Sequence, residues 1–288
     1  SSSPFGRGQG EGSWEIEITS MRRASAGMIV HIGEVISGQP KVGDKCVAEV
    51  DMQRRHDIMR NHTATHLLHA ALHQVLGDHA RQAGSLVAPT HLRFDFTHPE
   101  AMTPEQIERV EKIVNDAVAA DMEVFPHIKS REDAIAEGAM ALFGEKYGET
   151  VRTITISPVG FDTPPEVAVV HPTAAVEHEQ KFSYELCGGI HLDRTSDVGA
   201  FIITSEGSAA AGVRRIEAVT GRGAYDLIAR RFKAAKHAAA LLSSTPEELP
   251  VKVAALQEEM SEFRKQLANM RRDSALTTFN LMLEDVET

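Results

Sequence analysis

Two histidines four residues apart, His62 and His66, lie in a stretch whose apolar residues recur at helical spacing. Both imidazoles therefore leave one face of a helix, one turn apart, where two ring nitrogens can converge on one metal ion. Spacing alone is a weak sign. The chain has 14 histidines, and His69 and His73 form an identical pair that reads as surface or core-edge residues. The stronger half of the signal is Cys187-Gly188-Gly189-Ile190-His191, a thiol and an imidazole across two glycines. The glycines let the backbone turn tightly, so that both side chains reach the same ion. Two His from a helix plus Cys and His from a distant loop make a tetrahedral set suited to one zinc ion, which takes nitrogen and sulfur donors. The plain alternative for Cys187 is a buried small hydrophobe, the common fate of a free cysteine.

Thr63 and Thr65 lie between the two histidines, with Thr65 placed to offer a hydroxyl beside the metal, and Gln82 and Ser85 precede an extended stretch. Polar residues gathered around a metal-bearing helix are costly to bury without a purpose, which favours a catalytic ion. A catalytic zinc keeps one position open; four candidate ligands fit that if one is loose or the coordination expands.

The elements that must hold these residues are α+β in pattern. Alternating stretches at Trp14–Ile18, Met28–Ile32 and Cys46–Val50, with turns at Gly38-Gln39-Pro40 and Gly43-Asp44, predict a small β subdomain over residues 13–55. A helix over Asp57–Val75 carries the stripe Ile58, Leu67, Leu68, Ala71, Leu72 and Val75, and Gly77 suits its end. A strand follows at Leu92–Phe96. Thr103-Pro104-Glu105-Gln106 then announces a helix, with Thr103 as cap and Gln106 closing a capping box. A short helix after Ser130 ends near Gly138, and strands are expected at Val151–Ser157, Val167–Val170, Ala200–Thr204 and Val213–Val219. From residue 224 to 288 the pattern is helical. Ala224–Leu242 is broken by Ser243-Ser244-Thr245-Pro246, and Leu249, Val253, Leu256, Met260, Phe263, Leu267 and Met270 then alternate in steps of four and three. That is an a/d seam of about three heptads, read as a projecting coiled-coil arm. Docking on the same domain is its bland alternative.

Composition bounds the rest. The net charge of −11 argues against a globally basic nucleic-acid binder, though a local cationic face suffices for RNA. The clusters Arg22-Arg23, Arg54-Arg55 with Arg60, Arg214-Arg215, and Arg230-Arg231 with Lys233 read first as solvated surface. Two cysteines, Cys46 and Cys187, build no disulfide framework, and there is no secretory or membrane-spanning apolar run. A cytoplasmic protein is the expectation. Residues 1–12, rich in Ser and Gly, read as a flexible start or the torn end of a longer chain.

Asn61-His62-Thr63-Ala64-Thr65-His66-Leu67-Leu68-His69 resembles the HxxxH motif of alanyl-tRNA synthetase editing domains and their free-standing relatives, and Cys187–His191 looks like the matching CxxxH motif. Gly84–Val87, Arg93–Phe96, Gly138–Tyr147 and Gly212–Gly221 resemble further signatures of that family, in order, over residues 26 to 223. The resemblance implies an α+β zinc-dependent editing domain over residues 56–223, preceded by a small N-terminal β-barrel. It implies hydrolysis of seryl- and glycyl-tRNA(Ala), with contacts to the 3′ aminoacyl end and acceptor stem, as part of an alanine-tRNA ligase whose ATP site lies outside this chain. By position His62, His66, Cys187 and His191 would hold zinc, and Thr65, Gln82, Ser85, Phe96 and Arg214 would line or support the pocket. A free-standing trans-editing deacylase and a non-catalytic zinc-stabilised tRNA-binding module are the alternatives; self-association would come through the arm.

The chain departs from that pattern in three places. Ile190 stands where the family usually has Thr. Residues 158–185 form a long Pro- and His-containing segment, an inserted loop in which His171 or His178 could compete as ligands. The Gly-Gly-Gln motif expected near the start is blurred to Gly8-Gln9-Gly10.

Overall fold

The computed structural model describes residues 5–8, 13–25, 27–141, 147–158 and 181–284. The chain divides into two compact units, one up to Tyr225 and one from Asp226. The first is α+β, as its patterning predicts.

Its first four strands are β1 (Phe5–Gly8), β2 (Glu15–Ser25), β3 (Met28–Ser37) and β4 (Cys46–Glu49). They form an antiparallel sheet in the order β3-β2-β1-β4. Strand β1 falls in the stretch read as flexible, yet its backbone pairs on both sides. Four residues, two of them Gly, carry no alternation that would reveal a strand. Strands β3 and β4 are the edges, and among the described residues nothing pairs them, so this is an open sheet and not the closed barrel expected. The turn after β3 requires Gly38: its φ is +74°, and a Cβ there would fall 2.5 Å from the Ser13 carbonyl oxygen.

Helix α1 (Met52–Leu76) starts five residues before the predicted Asp57, because Asp51 caps it, its carboxylate accepting from the Arg54 N–H at 2.9 Å. Eleven of the twelve residues from Asn61 to Leu72 are buried, all but His62, so no single stripe describes them. A helix buried all round is one enclosed by other elements. Those that follow are β5 (Gln82–Val87), β6 (Leu92–Thr97), α2 (Pro104–Ala119), β7 (Glu123–Ser130), α3 (Arg131–Ala136), β8 (Thr150–Ser157), β9 (Ser183–Leu186), β10 (Phe201–Ala210) and β11 (Val213–Thr220). They give two more antiparallel sheets, in the orders β10-β11-β6-β5 and β7-β8-β9. Leu67 and Leu72 of α1, Val114 of α2, Phe94 of β6, Ile156 of β8 and Ile216 of β11 belong to one continuous core. Helix α1, which carries His62 and His66, thus lies where both sheets meet.

Helix α2 carries the predicted capping box in full, with Thr103 Oγ1 accepting from Gln106 N at 3.2 Å and Gln106 Oε1 accepting from Thr103 N at 2.9 Å. The segment read as an inserted loop over 158–185 ends in strand β9. Residues 159–180 of that segment, with the expected strand Val167–Val170, His171 and His178, lie outside the described residues, as do Gln9, Gly10 and residues 142–146.

Helix α4 (Gly221–Leu241) runs into the second unit, which also holds α5 (Leu249–Glu284). The break between them has Ser243 at φ 47° and a short 3-10 turn, Pro246–Glu248, opened by Thr245. Along α5 the seam residues Val253, Leu256, Met260, Phe263, Leu267 and Met270 are all exposed. Among the described residues no helix is long and apolar enough to cross a membrane.

Candidate metal centre

Helix α1 presents His62 and His66 on one face, and the loop after β9 brings Cys187 and His191 against it. One potential ligand atom from each of the four lies within 4.8 Å of every other. The Cys187 Sγ is 3.4 Å from His62 Nε2 and 3.3 Å from His191 Nε2. Bond lengths of 2.0–2.3 Å around a tetrahedral zinc set its ligand atoms roughly 3.3–3.8 Å apart. The two spacings to the Cys187 sulfur fall in that range, and the four donors lie close enough to close on such an ion.

Each imidazole has its other nitrogen engaged. His62 Nδ1 donates to the Ile190 carbonyl at 3.2 Å, His66 Nδ1 meets Glu185 Oε2 at 2.7 Å, and His191 Nδ1 lies 3.4 Å from Thr63 Oγ1. An imidazole that gives its Nδ1 proton to an outer acceptor leaves the Nε2 lone pair for a metal. His66 Nε2 is buried and has no hydrogen-bond partner among the described residues. An orphaned nitrogen facing a thiol and two further imidazoles is what a bound cation satisfies, so the residues fit zinc.

The electrostatics agree. Burial raises the Cys187 thiol, yet hydrogen bonds with His191 and His62 and the nearby charge of His66 bring it down to about 3, into the thiolate form. Burial pushes His66 down, but the Glu185 carboxylate and the Cys187 sulfur outweigh it and raise His66 to about 10. Burial lowers His191 to about 4, aided by the charges of His62 and His66, against the pull of Cys187. Burial would raise Glu185, but the charge and hydrogen bond of His66 and the hydrogen bond of His69 hold it well below the usual carboxylate range. Without a cation, then, the cluster keeps a buried thiolate and carboxylate around one proton-bearing imidazole, an arrangement that a divalent ion replaces directly.

Two features of the loop explain its sequence. A Cβ on Gly189 would stand 2.6 Å from His62 Nδ1, so only glycine lets the loop approach α1. Ile190 contributes its carbonyl, which any residue supplies, so the exchange of Thr for Ile leaves the His62 contact intact.

The other candidate residues fall into two groups. Gln82 on β5 and Arg214 on β11 each stand opposite Phe96 on β6, so the three share one face of the sheet. Gln82 Nε2 donates to Ser85 Oγ at 3.2 Å, Phe96 is fully buried beneath, and Arg214 forks onto Glu206 at 2.6 and 2.8 Å. Arg215 forks likewise onto Asp95, so this basic pair is neutralised within the sheet. Thr65 lies on α1, buried, and donates its hydroxyl proton to the Asn61 carbonyl at 2.8 Å, so towards a ligand it can only accept. A cavity of about 410 Å³ lies beside His69, the next turn of α1 after His66, lined also by His73, Asp78, Arg81, Gln82 and Met140.

Sequence reading marks Thr63 only by its place between the two histidines, and Glu185 not at all. Thr63 is fully buried, touches His191 and accepts from the Leu192 N–H at 3.2 Å. Glu185 is 1% exposed. The available signal was its place two residues before Cys187: on an extended strand, i and i+2 share a face.

With this geometry in hand, comparison with known proteins defines the class. The threonyl and alanyl tRNA synthetase second additional domain matches residues 170–217, the part that contains Cys187, His191 and Arg214. Over most of its length the chain is similar to alanine–tRNA ligases. It is 45% identical to that of Chloroflexus aurantiacus over 277 residues, 96% of this chain and 30% of the relative. It is 44% identical to that of Parvibaculum lavamentivorans over 260 residues, 90% of this chain and 27% of the relative. The one from Roseiflexus sp. is 44% identical over 278 residues. The chain is thus homologous to a segment of alanine–tRNA ligases and spans about three tenths of the length of these relatives.

Proposed function

We propose that this chain is the editing segment of an alanine–tRNA ligase, a zinc-dependent hydrolase that removes serine and glycine from mischarged tRNA(Ala). The observation that carries the reading is the convergence of one thiolate and three oriented imidazoles, one helical turn from a cavity lined by His69, in a chain 45% identical to an alanine–tRNA ligase. In that reading residues 13–55 are a small β subdomain, 56–223 the editing domain and 224–288 the helical arm. ATP-dependent aminoacylation belongs to parts of the ligase outside this chain, and the protein works in the cytoplasm.

The need for a second site is physical. A pocket that admits alanine cannot exclude the smaller glycine, and it rejects only weakly a near-isostere that adds a hydroxyl. Hydrolysis adds water to the ester carbonyl carbon and breaks its bond to the ribose oxygen, giving free amino acid and a tRNA 3′-hydroxyl. Zinc held by His62, His66, Cys187 and His191 supplies a Lewis acid to this site. The chain's own residues orient the aminoacyl end and select it. Thr65, with its proton given to Asn61, offers an acceptor to the serine hydroxyl and nothing to the alanine methyl group. Gln82 and Ser85 hold each other at the sheet edge, and Arg214, fixed by Glu206, stands across Phe96 from Gln82 on the same face.

The test is direct. Purified protein with zinc is expected to deacylate seryl-tRNA(Ala) far faster than alanyl-tRNA(Ala), and Cys187→Ala to lose both zinc and that activity. Equal rates on the two tRNAs, or none, would sink the proposal.

A further inference from the structure

We propose that Glu185 is a positioning residue for the metal centre: it holds His66 in the tautomer that can ligate, balances the charge of the bound cation, and is itself braced by His69. The inference rests on the zinc reading above and assigns a role to a side chain that contacts no substrate.

A carboxylate has two oxygens, and here each has its own task. Oε2 meets His66 Nδ1 at 2.7 Å; Oε1 meets His69 Nδ1 at 3.0 Å and accepts from Ser183 Oγ at 3.2 Å. The bond to Oε2 keeps the proton on His66 Nδ1 and so leaves Nε2 for the ion. A His66 turned about its ring axis would break that bond and point carbon at the metal. Charge balance gives the second reason. A divalent ion with one thiolate and three neutral imidazoles carries one net positive charge in a buried site. The carboxylate of Glu185, 1% exposed, cancels it. An uncompensated buried charge is strongly unfavourable, so this balance favours retention of the ion.

The backbone makes the clamp rigid. Glu185 pairs with Ile154 of β8 on one side and bridges to Met140 on the other, so the carboxylate cannot withdraw. Side chains alternate along β9: Ser183, Glu185 and Cys187 face α1, while Tyr184 and Leu186 join a separate small core. The strand that sets the thiolate therefore sets the clamp. His69 explains itself in this scheme as the residue that holds Oε1. It is 4% exposed, and its ring lies 5.3 Å from that of Phe94.

A merely structural tie between α1 and β9 would show the same hydrogen bonds, so the test must separate the two. The full 288-residue chain is compared with Glu185→Gln and His69→Gln for zinc affinity by chelator competition and for the absorption spectrum of the cobalt-substituted protein. Glu185→Gln is expected to weaken zinc binding by about 10- to 100-fold while the thiolate-to-cobalt band persists. His69→Gln should weaken it in the same direction and by less. In a His66→Ala background Glu185→Gln should have no further effect, because its action runs through that ligand. Should Glu185→Gln fail to fold, His69→Gln decides alone, since it removes only the brace. Unchanged zinc affinity in the folded variants, or a loss as large without His66 as with it, overturns the proposal and makes Glu185 a core tie. Failure of the unmodified chain to bind zinc would instead remove the metal reading on which it stands.

Discussion

Gly188 and Gly189 are neighbours of one residue type with opposite demands placed on them. A Cβ added to Gly188 would meet nothing within 4 Å, whereas one on Gly189 would stand 2.6 Å from His62 Nδ1, the nitrogen that donates to Ile190. Gly189→Ala must turn His62 away from the shared centre, and we expect a loss of about tenfold in zinc affinity with helix content unchanged. Gly188→Ala should bind zinc as the unmodified chain does. The measurement is chelator competition beside far-ultraviolet circular dichroism. Equal losses in the two variants would mean that loop flexibility, and not contact with His62, sets the requirement. The four ligand types and the two glycines could all be read from the sequence, because short-range spacing carries that information. The carboxylate left only a faint sign, its place two residues before Cys187. Glu185 is 119 residues from His66 in the chain, and only the pairing of β9 with β8 brings them together. For the same reason Ile190, conspicuous as a side chain, matters here through its carbonyl.

At the scale of elements, legibility followed local chemistry. Helix α2 announced itself through a capping box that needs only four residues, and α1 through its apolar content. Strands β5, β7 and β9 gave no such sign. β7 holds Pro126 and three charged or imidazole side chains, and β9 is four residues long; neither alternates cleanly, and each is specified by its neighbours. One tie across these elements lends itself to a pH test. Asp121, at φ 50° after α2, is gripped by Arg194, whose Nε and Nη2 reach its carboxylate at 2.8 and 2.6 Å. The hydrogen bonds from Arg194, then from Ser196, lower the Asp121 carboxyl to about 2 against a small opposing effect of burial. Its folded value lies below the unfolded value near 3.9, so the stabilisation is complete above about pH 4 and fades as pH falls through 2. The carboxylate is 44% exposed, and solvent screening keeps the contribution small, about 0.5 kcal/mol. Asp121→Asn should therefore lower the melting temperature slightly at pH 7 and progressively less as the pH falls below 4. A penalty independent of pH would assign the effect to loop geometry.

For the whole molecule, the open question is what the second unit does with its apolar surface. The first unit packs a continuous core although β3 leaves Met28, Ile29, Ile32, Val35 and Ile36 exposed, while α5 leaves Val253, Leu256, Met260, Phe263, Leu267 and Met270 between 42% and 61% exposed along a single seam. The steps of four and three between them match the 3.5-residue repeat that lets two helices wrap around each other. Charged residues flank the seam at Glu258, Glu259, Arg264 and Lys265, as the outer positions of a helical pair require. Burying the exposed part of each seam side chain is worth roughly 1 kcal/mol, so six per helix outweigh the entropy of association only if they pair along the whole length. Self-association should accordingly be all-or-none in the seam. The chain ending at Thr288 is expected to sediment as a concentration-dependent oligomer, and the chain ending at Ser243 as a monomer. Leu256→Lys combined with Phe263→Lys, which places charge in the middle of the seam, should match the shortened chain while leaving zinc content untouched. If the full-length chain sediments as a monomer at every concentration, α5 does not pair with itself, and its seam awaits a different helix.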